Sequence, residues 1–238
     1  MIAHKGEANL QLENQLFADT SAAHQLVVDG CRGRIEGCTF TDGNTALHAT
    51  QPVDCDQRSL FNQIDGGGLL VLGAVELVVS RCRFQANHAM MCGGAVSLQA
   101  APGSRITFEN CDFVDNTADD TGPAIDLLTH GLVVALRNCR FTRNGSTGRL
   151  TTVPRGQVSV FPGNVLELER CTFEGNKTAD VDYHQTKDRP VTITTDPADA
   201  REYRIIDVTG MSNRKLARKI IVMASAWANH PAYFPARG

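Results

Sequence analysis

Residues 106–118 read Ile106-Thr-Phe-Glu-Asn-Cys111-Asp-Phe113-Val-Asp-Asn116-Thr-Ala118, and the centre of this stretch, Cys-x-Phe-x-x-Asn, returns along the chain. Five segments share the Cys-x-Phe triplet, and four of them carry Asn at the third position after Phe. The five copies begin at Cys38, Cys82, Cys111, Cys139 and Cys171. An internal period of this length is typical of repeat proteins, in which each unit packs only against its neighbours.

The spacing of the copies separates a constant unit from connections of variable length. Successive cysteines of the repeat lie 44, 29, 28 and 32 residues apart. An alternating apolar segment precedes each Cys, and a Gly-led segment such as 93–98 or 122–127 often lies further upstream. Three short strands per repeat predict one triangular coil. A degenerate copy at residues 10–22 aligns Phe17 with Phe113.

Stacked coils place equivalent side chains over one another about 4.8 Å apart. Because side chains alternate along a strand, Cys and Phe point inward together, and the Asn side chain is expected to turn the corner by bonding the backbone of adjacent coils. The predicted Phe column is Phe40, Phe84, Phe113, Phe141 and Phe173, and the Asn column is Asn87, Asn116, Asn144 and Asn176. The sequence therefore predicts an all-β fold, a right-handed single-stranded parallel β-helix of about seven coils.

Charged residues fall on the outward columns, and their signs alternate between coils. This pattern predicts cross-strand ion pairs on a solvated sheet face, so we interpret the charges as structural. The two predicted columns are Glu109 with Arg137 and Glu169, and Arg83 with Asp112 and Arg140.

The composition limits the domain organisation and the partners. The formal net charge of -3 provides no basic field for nucleic acid, so neither DNA nor RNA is expected. The longest apolar run near the end, 220–228, is too short to cross a bilayer, and the first residues lack the pattern of a secretory signal. Residues 1–210 are assigned to the β-helix. Residues 211–238 are assigned to a C-terminal helix, begun by Ser212, that caps the open coil end, and to a tail.

The eight cysteines leave a second interpretation open, a metal or disulfide framework. No Cys-x-x-Cys occurs, and core-facing thiols behave as small hydrophobes. Cys31, Cys55 and Cys92 lie outside the repeat column, so they are the candidates for pairing or reactivity. The redox compartment stays undecided.

The segments Phe84-Gln-Ala-Asn87-His-Ala89 and 113–118, together with Gly93-Gly-Ala-Val, give the chain a family likeness. It resembles the repeats of polymorphic outer membrane proteins and the wider pectate-lyase-like superfamily of right-handed β-helices, over about residues 10 to 208. The resemblance implies a β-helix fold and an extracellular or cell-surface location, although no signal peptide is recognisable here. Members include adhesins, passenger domains, lyases, hydrolases and epimerases, so the resemblance does not choose a function.

Candidate catalytic residues come from an acidic stretch followed by a histidine. Polygalacturonase-type hydrolases on this scaffold use an Asp pair and a His-Gly, and Asp119, Asp120 and His130 resemble that set. Such carboxylates would supply an acid and a base on the two sides of a sugar bond. Calcium is the one cofactor considered: if the protein is an enzyme, Asp115, Asp119 and Asp120 would be its ligands. Asp180, Asp182 and His184 form another predicted loop cluster.

The sequence is compatible with three functions. The first is a non-enzymatic β-helix scaffold that binds a polysaccharide or a protein partner through stacked variable loops. The second is a carbohydrate-active enzyme, a polysaccharide lyase or glycoside hydrolase, that uses loop carboxylates. The third is a structural subunit of a larger complex. The predicted variable loops are 45–66, 88–92, 117–121, 145–155 and 177–190.

Overall fold

The structure is a computed structural model, and it describes residues 2–19, 24–45, 64–176, 179–199 and 201–211. The elements within these ranges are 24 short strands, numbered β1 to β24 in chain order. They form four sheets, which we name A to D. Within each sheet, neighbouring strands pair in parallel and come from successive coils.

Sheet A contains β1 (Ile2–Lys5), β4 (Leu26–Asp29), β7 (Leu69–Gly73), β11 (Val96–Ala100), β15 (Ile125–Leu127), β19 (Val158–Val160), β22 (Val181–Tyr183) and β24 (Ile205–Asp207). Sheet B contains β2 (Leu10–Glu13), β5 (Arg32–Glu36), β8 (Glu76–Ser80), β12 (Arg105–Glu109), β16 (Val133–Arg137), β20 (Val165–Glu169) and β23 (Thr192–Thr195). Sheet C contains β3 (Leu16–Phe17), β6 (Thr39–Thr41), β9 (Arg83–Gln85), β13 (Asp112–Val114), β17 (Arg140–Thr142) and β21 (Thr172–Glu174). Sheet D contains β10 (His88–Ala89), β14 (Thr117–Ala118) and β18 (Gly145–Ser146).

The chain passes through sheets A, B and C once per coil, and neighbouring strands of a sheet come from successive coils. This connectivity defines a single-stranded parallel β-helix, so the predicted all-β architecture is confirmed. The seven strands of sheet B agree with the predicted number of coils. The degenerate first copy is also in register, because Phe17 pairs with Phe40.

The Phe column is a continuous stack of rings inside the coil. Phe113 lies between Phe84 and Phe141, with ring centroids 4.9 and 4.8 Å away and interplanar angles of 3°. Phe108 of sheet B contacts the stack edge-on, 5.9 Å from Phe113. Four of the predicted members are fully buried, and Phe173 at the end of sheet C is partly exposed. Aromatic stacking therefore adds to the burial of apolar surface along the axis.

The Cys column lies at the turn from sheet B to sheet C and is equally buried. Each thiol is placed to donate to two backbone carbonyls, one two residues upstream and one in the preceding coil. For Cys139 these acceptors are Arg137 O and Phe108 O, both at 3.4 Å. The column therefore fills the core and also bridges successive coils by weak hydrogen bonds.

The Asn column forms the corner between sheets C and D. Asn116 Nδ2 donates to Phe84 O at 2.9 Å and to Asn144 Oδ1 at 2.8 Å, while Asn144 Oδ1 also accepts from the Asn116 backbone N–H at 3.0 Å. Asn87 and Asn116 thus bond both neighbouring coils, as the sequence predicted, whereas Asn144 donates to Phe113 O of the preceding coil and to Gln157 of its own coil. In the coil of Phe40 the corner position belongs to Gly43, whose N–H donates to Asn87 Oδ1.

The outward charges pair as predicted. Arg137 lies 3.4 Å from both Glu109 and Glu169, and Arg140 makes two bonds of 3.0 and 3.1 Å to Asp112. Exposed pairs of this kind contribute about 0–1 kcal/mol each, so they align the coils more than they stabilise them.

Sheet A differs from the other sheets because both of its faces are buried. Val27, Leu70 and Leu72 point away from the main core, yet they are 0–3% exposed and form a separate apolar cluster. Further along the same outward column the residues become polar: Ser97, Asp126, Ser159 and Asp182 follow one another in register and stay buried.

Tyr203 and its neighbours close the end of sheet C. The ring of Tyr203 packs edge-on against Phe173, and its hydroxyl accepts the Cys171 N–H at 3.0 Å. Arg201 donates to Cys171 O at 2.9 Å. The predicted helix that begins at Ser212, together with the tail, lies outside the described residues, so its capping role stays a prediction.

Replacing Phe113 by Ala should lower the free energy of unfolding by about 3–5 kcal/mol, because it removes a buried ring from the middle of the stack. Phe173→Ala is the matched control, since Phe173 has one stacked neighbour and is partly exposed. Urea unfolding followed by circular dichroism measures both losses. A loss for Phe173→Ala as large as that for Phe113→Ala would contradict a stack that is tightest at its centre.

Candidate functional site

Ionisable side chains gather where the chain passes into sheet A. We call residues 90–95, 119–124 and 147–157 the D–A edge, since they connect sheet D to sheet A in three successive coils. The predicted loops 88–92, 117–121 and 145–155 fall here, but the first two residues of each form sheet D. Most of the predicted loop 45–66 and Cys55 lie outside the described residues.

Asp119 lies on the D–A edge with its carboxylate enclosed. The residue is 3% exposed, and the Thr147 hydroxyl donates to Oδ1 at 2.6 Å. His88 Nε2 and Arg149 Nη1 each lie 3.9 Å from a carboxylate oxygen. Burial lowers the pKa of His88, with Asp119 acting in the opposite direction, so its imidazole is neutral at neutral pH. Asp119 is therefore part of a bonded network across three coils.

Asp120 is held by Arg155, which the sequence did not single out. One guanidinium nitrogen lies 3.3 Å from Asp120 and another lies 3.3 Å from Asp182. The second oxygen of Asp182 accepts the Gly156 N–H at 2.8 Å and the Ser159 hydroxyl at 2.6 Å. Burial raises the pKa of Asp182, and Arg155 counteracts this. Asp120, Arg155 and Asp182 belong to three successive coils, so this bridge ties the coils together. It also gives each buried charge a partner, and a buried charge without one costs several kcal/mol.

Two further buried carboxyl groups, those of Asp65 and Asp126, lie close to Asp120 at the D–A edge. Asp65 accepts the Cys92 N–H at 2.8 Å, whereas neither oxygen of Asp126 has a hydrogen bond of good geometry within the described residues. Gly93, with a φ of 65°, lies directly over Asp126, and a Cβ there would come within 2.3 Å of Oδ1. Burial raises the pKa of both carboxyls well above the ordinary range, and the Asp126 charge adds to the effect at Asp65. We call Asp65, Asp120, Asp126, Arg155 and Asp182 the acidic corner.

A cleft opens beside the acidic corner. Its volume is about 460 Å³, and the loop 144–155 and the turn at Gly175 line it. Ser146, Thr151 and Thr152 contribute to its walls, and Arg155 borders it. This volume lies in the range of small-molecule sites, which are about 300–1,000 Å³. We call this cavity the D–A cleft.

His130 lies elsewhere. It is exposed on the turn that leads from β15 to sheet B, whereas Asp119 and Asp120 precede β15. A Cβ on the adjacent Gly131 would meet Pro102 of the preceding coil at 3.0 Å. The structure therefore brings Asp119 and Asp120 to one end of this strand and His130 to the other.

Asp115 is separate as well. It turns the corner after sheet C with a left-handed φ of 55° and makes two bonds of 2.7 Å to Arg143, which lower the pKa of the carboxyl. The described residues contain no group of three His, Cys, Asp or Glu side chains arranged to hold a metal ion. Asp115, Asp119 and Asp120 are thus not gathered as one set of ligands, and the calcium hypothesis stays a prediction.

The assignment of 177–190 to a variable loop was wrong. It contains β22 of sheet A, and residues 180–183, Asp-Val-Asp-Tyr, alternate as a strand does. Asp180 pairs with Arg204 at 2.7 Å, Asp182 with Arg155, and His184 packs edge-on against Phe161. The three residues of the predicted loop cluster therefore have separate partners.

The prediction of pairing or reactivity was also wrong for Cys31 and Cys92. Both thiols are free and at most 1% exposed. Burial raises the pKa of Cys92 well above its ordinary value, which disfavours the reactive thiolate. Neither residue can act without opening of the structure.

Sequence reasoning missed Arg155, Asp65 and the buried polar column of sheet A. One signal could have revealed the column: the central residue in Ala-Val-Ser97-Leu, Ala-Ile-Asp126-Leu and Gln-Val-Ser159-Val is polar in each copy. No such pattern marks Arg155 or Asp65, because their partners lie in other coils and at other positions of the repeat.

These stacked parallel sheets, with side chains clustered on the connecting loops, define a β-helix solenoid. A family model described as right-handed beta helix region matches residues 2–195, so the chain belongs to that family. Searches of curated proteins and of solved structures find no match. The described part of the chain has no helix with the length and apolarity that a bilayer crossing requires.

Asp126→Asn should change how stability depends on pH. Between the ordinary Asp pKa of about 3.9 and its higher pKa in the folded protein, the folded chain holds a proton that the unfolded chain has lost. The free energy of unfolding therefore falls as the pH rises through that window. Asn keeps the shape of the protonated acid, so the variant should lose less stability between acidic and neutral pH in urea unfolding experiments.

Asp115→Asn is the control with the opposite sign. Its pKa is lowered in the folded protein by Arg143, so its contribution is present above the unfolded pKa and is lost as the pH falls. Equal pH dependence for the wild type and Asp126→Asn would show that Asp126 is not held in its protonated form.

Proposed function

We propose that this protein is a non-enzymatic β-helix scaffold that binds a polysaccharide or a protein partner through the D–A edge. One observation carries the proposal. The candidate catalytic carboxylates beside the cleft, Asp119 and Asp120, are 3% and 2% exposed and already bonded, whereas Thr152 on the cleft wall is exposed. A general acid or base must come within hydrogen-bonding reach of the substrate, and the burial of these two carboxylates disfavours that role.

In this proposal the acidic corner has a structural role, which is to hold the cleft wall in place. Arg155 links Asp120 in the preceding coil with Asp182 in the following coil, so the cleft wall is fixed from behind. A rigid wall favours binding because less conformational freedom is lost when the ligand arrives. The buried charges thereby prepare the surface without contacting the ligand.

A polysaccharide is the partner that the cleft favours. Ser146 and Thr152 carry hydroxyls that can donate and accept, which suits the hydroxyl groups of a neutral sugar, whereas the Thr151 hydroxyl is bonded to the Val153 backbone. Coils stacked at a spacing of about 4.8 Å also continue the edge along the axis, which suits a linear chain. A protein partner is the other form of the proposal, and the experiment below separates the two.

A place in a larger assembly is a second proposal. Leu16 and Ile2 in the first coil are 69% and 47% exposed, so two large apolar side chains face water at this end of the β-helix. Contact with another subunit would remove this apolar surface from water. An extracellular or cell-surface location, and the likeness to polymorphic outer membrane protein repeats, likewise remain proposals.

Thr152→Trp should weaken binding by at least about tenfold, because the indole fills the cleft. Binding is measured first on an array of linear polysaccharides, then by calorimetry with the strongest polysaccharide. Thr107→Trp is the matched control, since Thr107 lies on the outer face of sheet B. Equal loss of binding in both variants would contradict the cleft as the site. Capture of a protein partner with no binding on the array would select the protein form.

The wild type should release neither reducing ends nor unsaturated sugars from any polysaccharide that it binds. If it does, and if Asp120→Asn abolishes the release while Thr107→Trp does not, then the carbohydrate-active enzyme is the correct interpretation and the non-enzymatic proposal is wrong.

A further inference from the structure

A hollow at the other end of sheet A differs in chemistry from the D–A cleft. It lies where the chain turns from sheet A to sheet B, has a volume of about 330 Å³, and is lined by Arg32, Val75, Glu76, Pro102, Ser104 and Arg105. We call it the A–B hollow.

Unequal turn lengths create the hollow. Two residues, 74–75, join β7 to β8, whereas four residues, 101–104, join β11 to β12 in the next coil. The longer turn projects beyond the shorter one and leaves a step. Ser104 fixes the step, because its hydroxyl accepts the Val75 N–H at 3.1 Å. The depression is thus built into the coil and does not depend on a mobile loop.

Three charged side chains surround the step in register. In the strand register, Arg32 of β5 lies beside Glu76 of β8, and Glu76 lies beside Arg105 of β12. None of the three side chains makes an ion pair or hydrogen bond to any residue that the structure describes. The other two outward triplets of opposite charge are closed by ion pairs. Arg83 and Arg140 lie 3.6 and 3.0 Å from Asp112. Arg137 lies 3.4 Å from both Glu109 and Glu169. The open triplet therefore coincides with the hollow.

The charges indicate which ligand fits. Two guanidinium groups and one carboxylate leave a formal charge of +1, which matches a single carboxylate better than a doubly charged phosphate. The fork of a guanidinium binds a carboxylate through two parallel hydrogen bonds. Glu76, between the two arginines, can only accept, so it selects a ligand that also presents a hydroxyl or ammonium donor.

We propose that the A–B hollow binds a small organic carboxylate that carries hydroxyl or ammonium donors. Arg105 and Arg32 hold the carboxylate, and Glu76 accepts from the donor groups. This site does not depend on the D–A cleft, which lies at the opposite end of sheet A.

Ligand-observed and protein-observed NMR titrations test the proposal with four probes: acetate, glycine, glucuronate and inorganic phosphate. Glycine or glucuronate should saturate the site at lower concentration than acetate or phosphate. Arg105→Gln should weaken that binding by about tenfold or more, and Arg32→Gln should weaken it in the same direction. Glu76→Gln should reduce the better probe to the affinity of acetate. These side chains are exposed, so the variants should keep the wild-type melting temperature.

Arg140→Gln is the matched control, because Arg140 is an exposed arginine that is paired with Asp112. Equal weakening in Arg140→Gln, tighter binding of phosphate than of either donor-bearing carboxylate, or the absence of saturation with every probe would each overturn the proposal. Thr152→Trp should leave carboxylate binding unchanged, so failure at the D–A cleft is distinguishable from failure at the A–B hollow.

Discussion

The structure depends on one constraint, the parallel register that places each coil directly over the previous one. Parallel strands repeat at about 4.8 Å, so any side chain that recurs at one position of the repeat meets its own kind above and below. The Phe rings are therefore stacked with centroids 4.5 to 4.9 Å apart, and the buried Asn amides bond from coil to coil. A slip of one residue would turn these side chains to the outside and expose the apolar row.

The same register makes the polar features possible. Arg155 can reach Asp120 in one coil and Asp182 in another because the corner repeats without lateral shift. The buried carboxyls of Asp65 and Asp126 have raised pKa values for a related reason, since stacked connections exclude water from positions that are loop ends in the sequence. Chemistry on this scaffold is thus assembled across coils, and each coil supplies one or two groups.

Much of the fold could be predicted from the sequence because its signals are periodic. The Cys, Phe and Asn columns and the ion pairs of Arg137 and Arg140 required only the alignment of repeats and the alternation of a strand. The candidate site was less predictable. Asp119 and Asp120 are at the D–A edge, but His130 and Asp115 are not. Residues that are close in sequence lie apart in the fold when a strand or a corner separates them. Strand β22 was missed because Asp180 and Asp182 appear as loop residues when their buried partners are unknown.

The sequence by itself determined the repeat, the inward columns and the membership of a β-helix class, since these follow from the spacing of apolar side chains along one chain. Only the tertiary structure decided which face of sheet A is buried, where Arg155 finds its two partners, and where unequal turns leave the D–A cleft and the A–B hollow. Those properties belong to neighbouring coils of different loop length. No single repeat contains them, because burial, pairing and cavities arise between units that are about thirty residues apart.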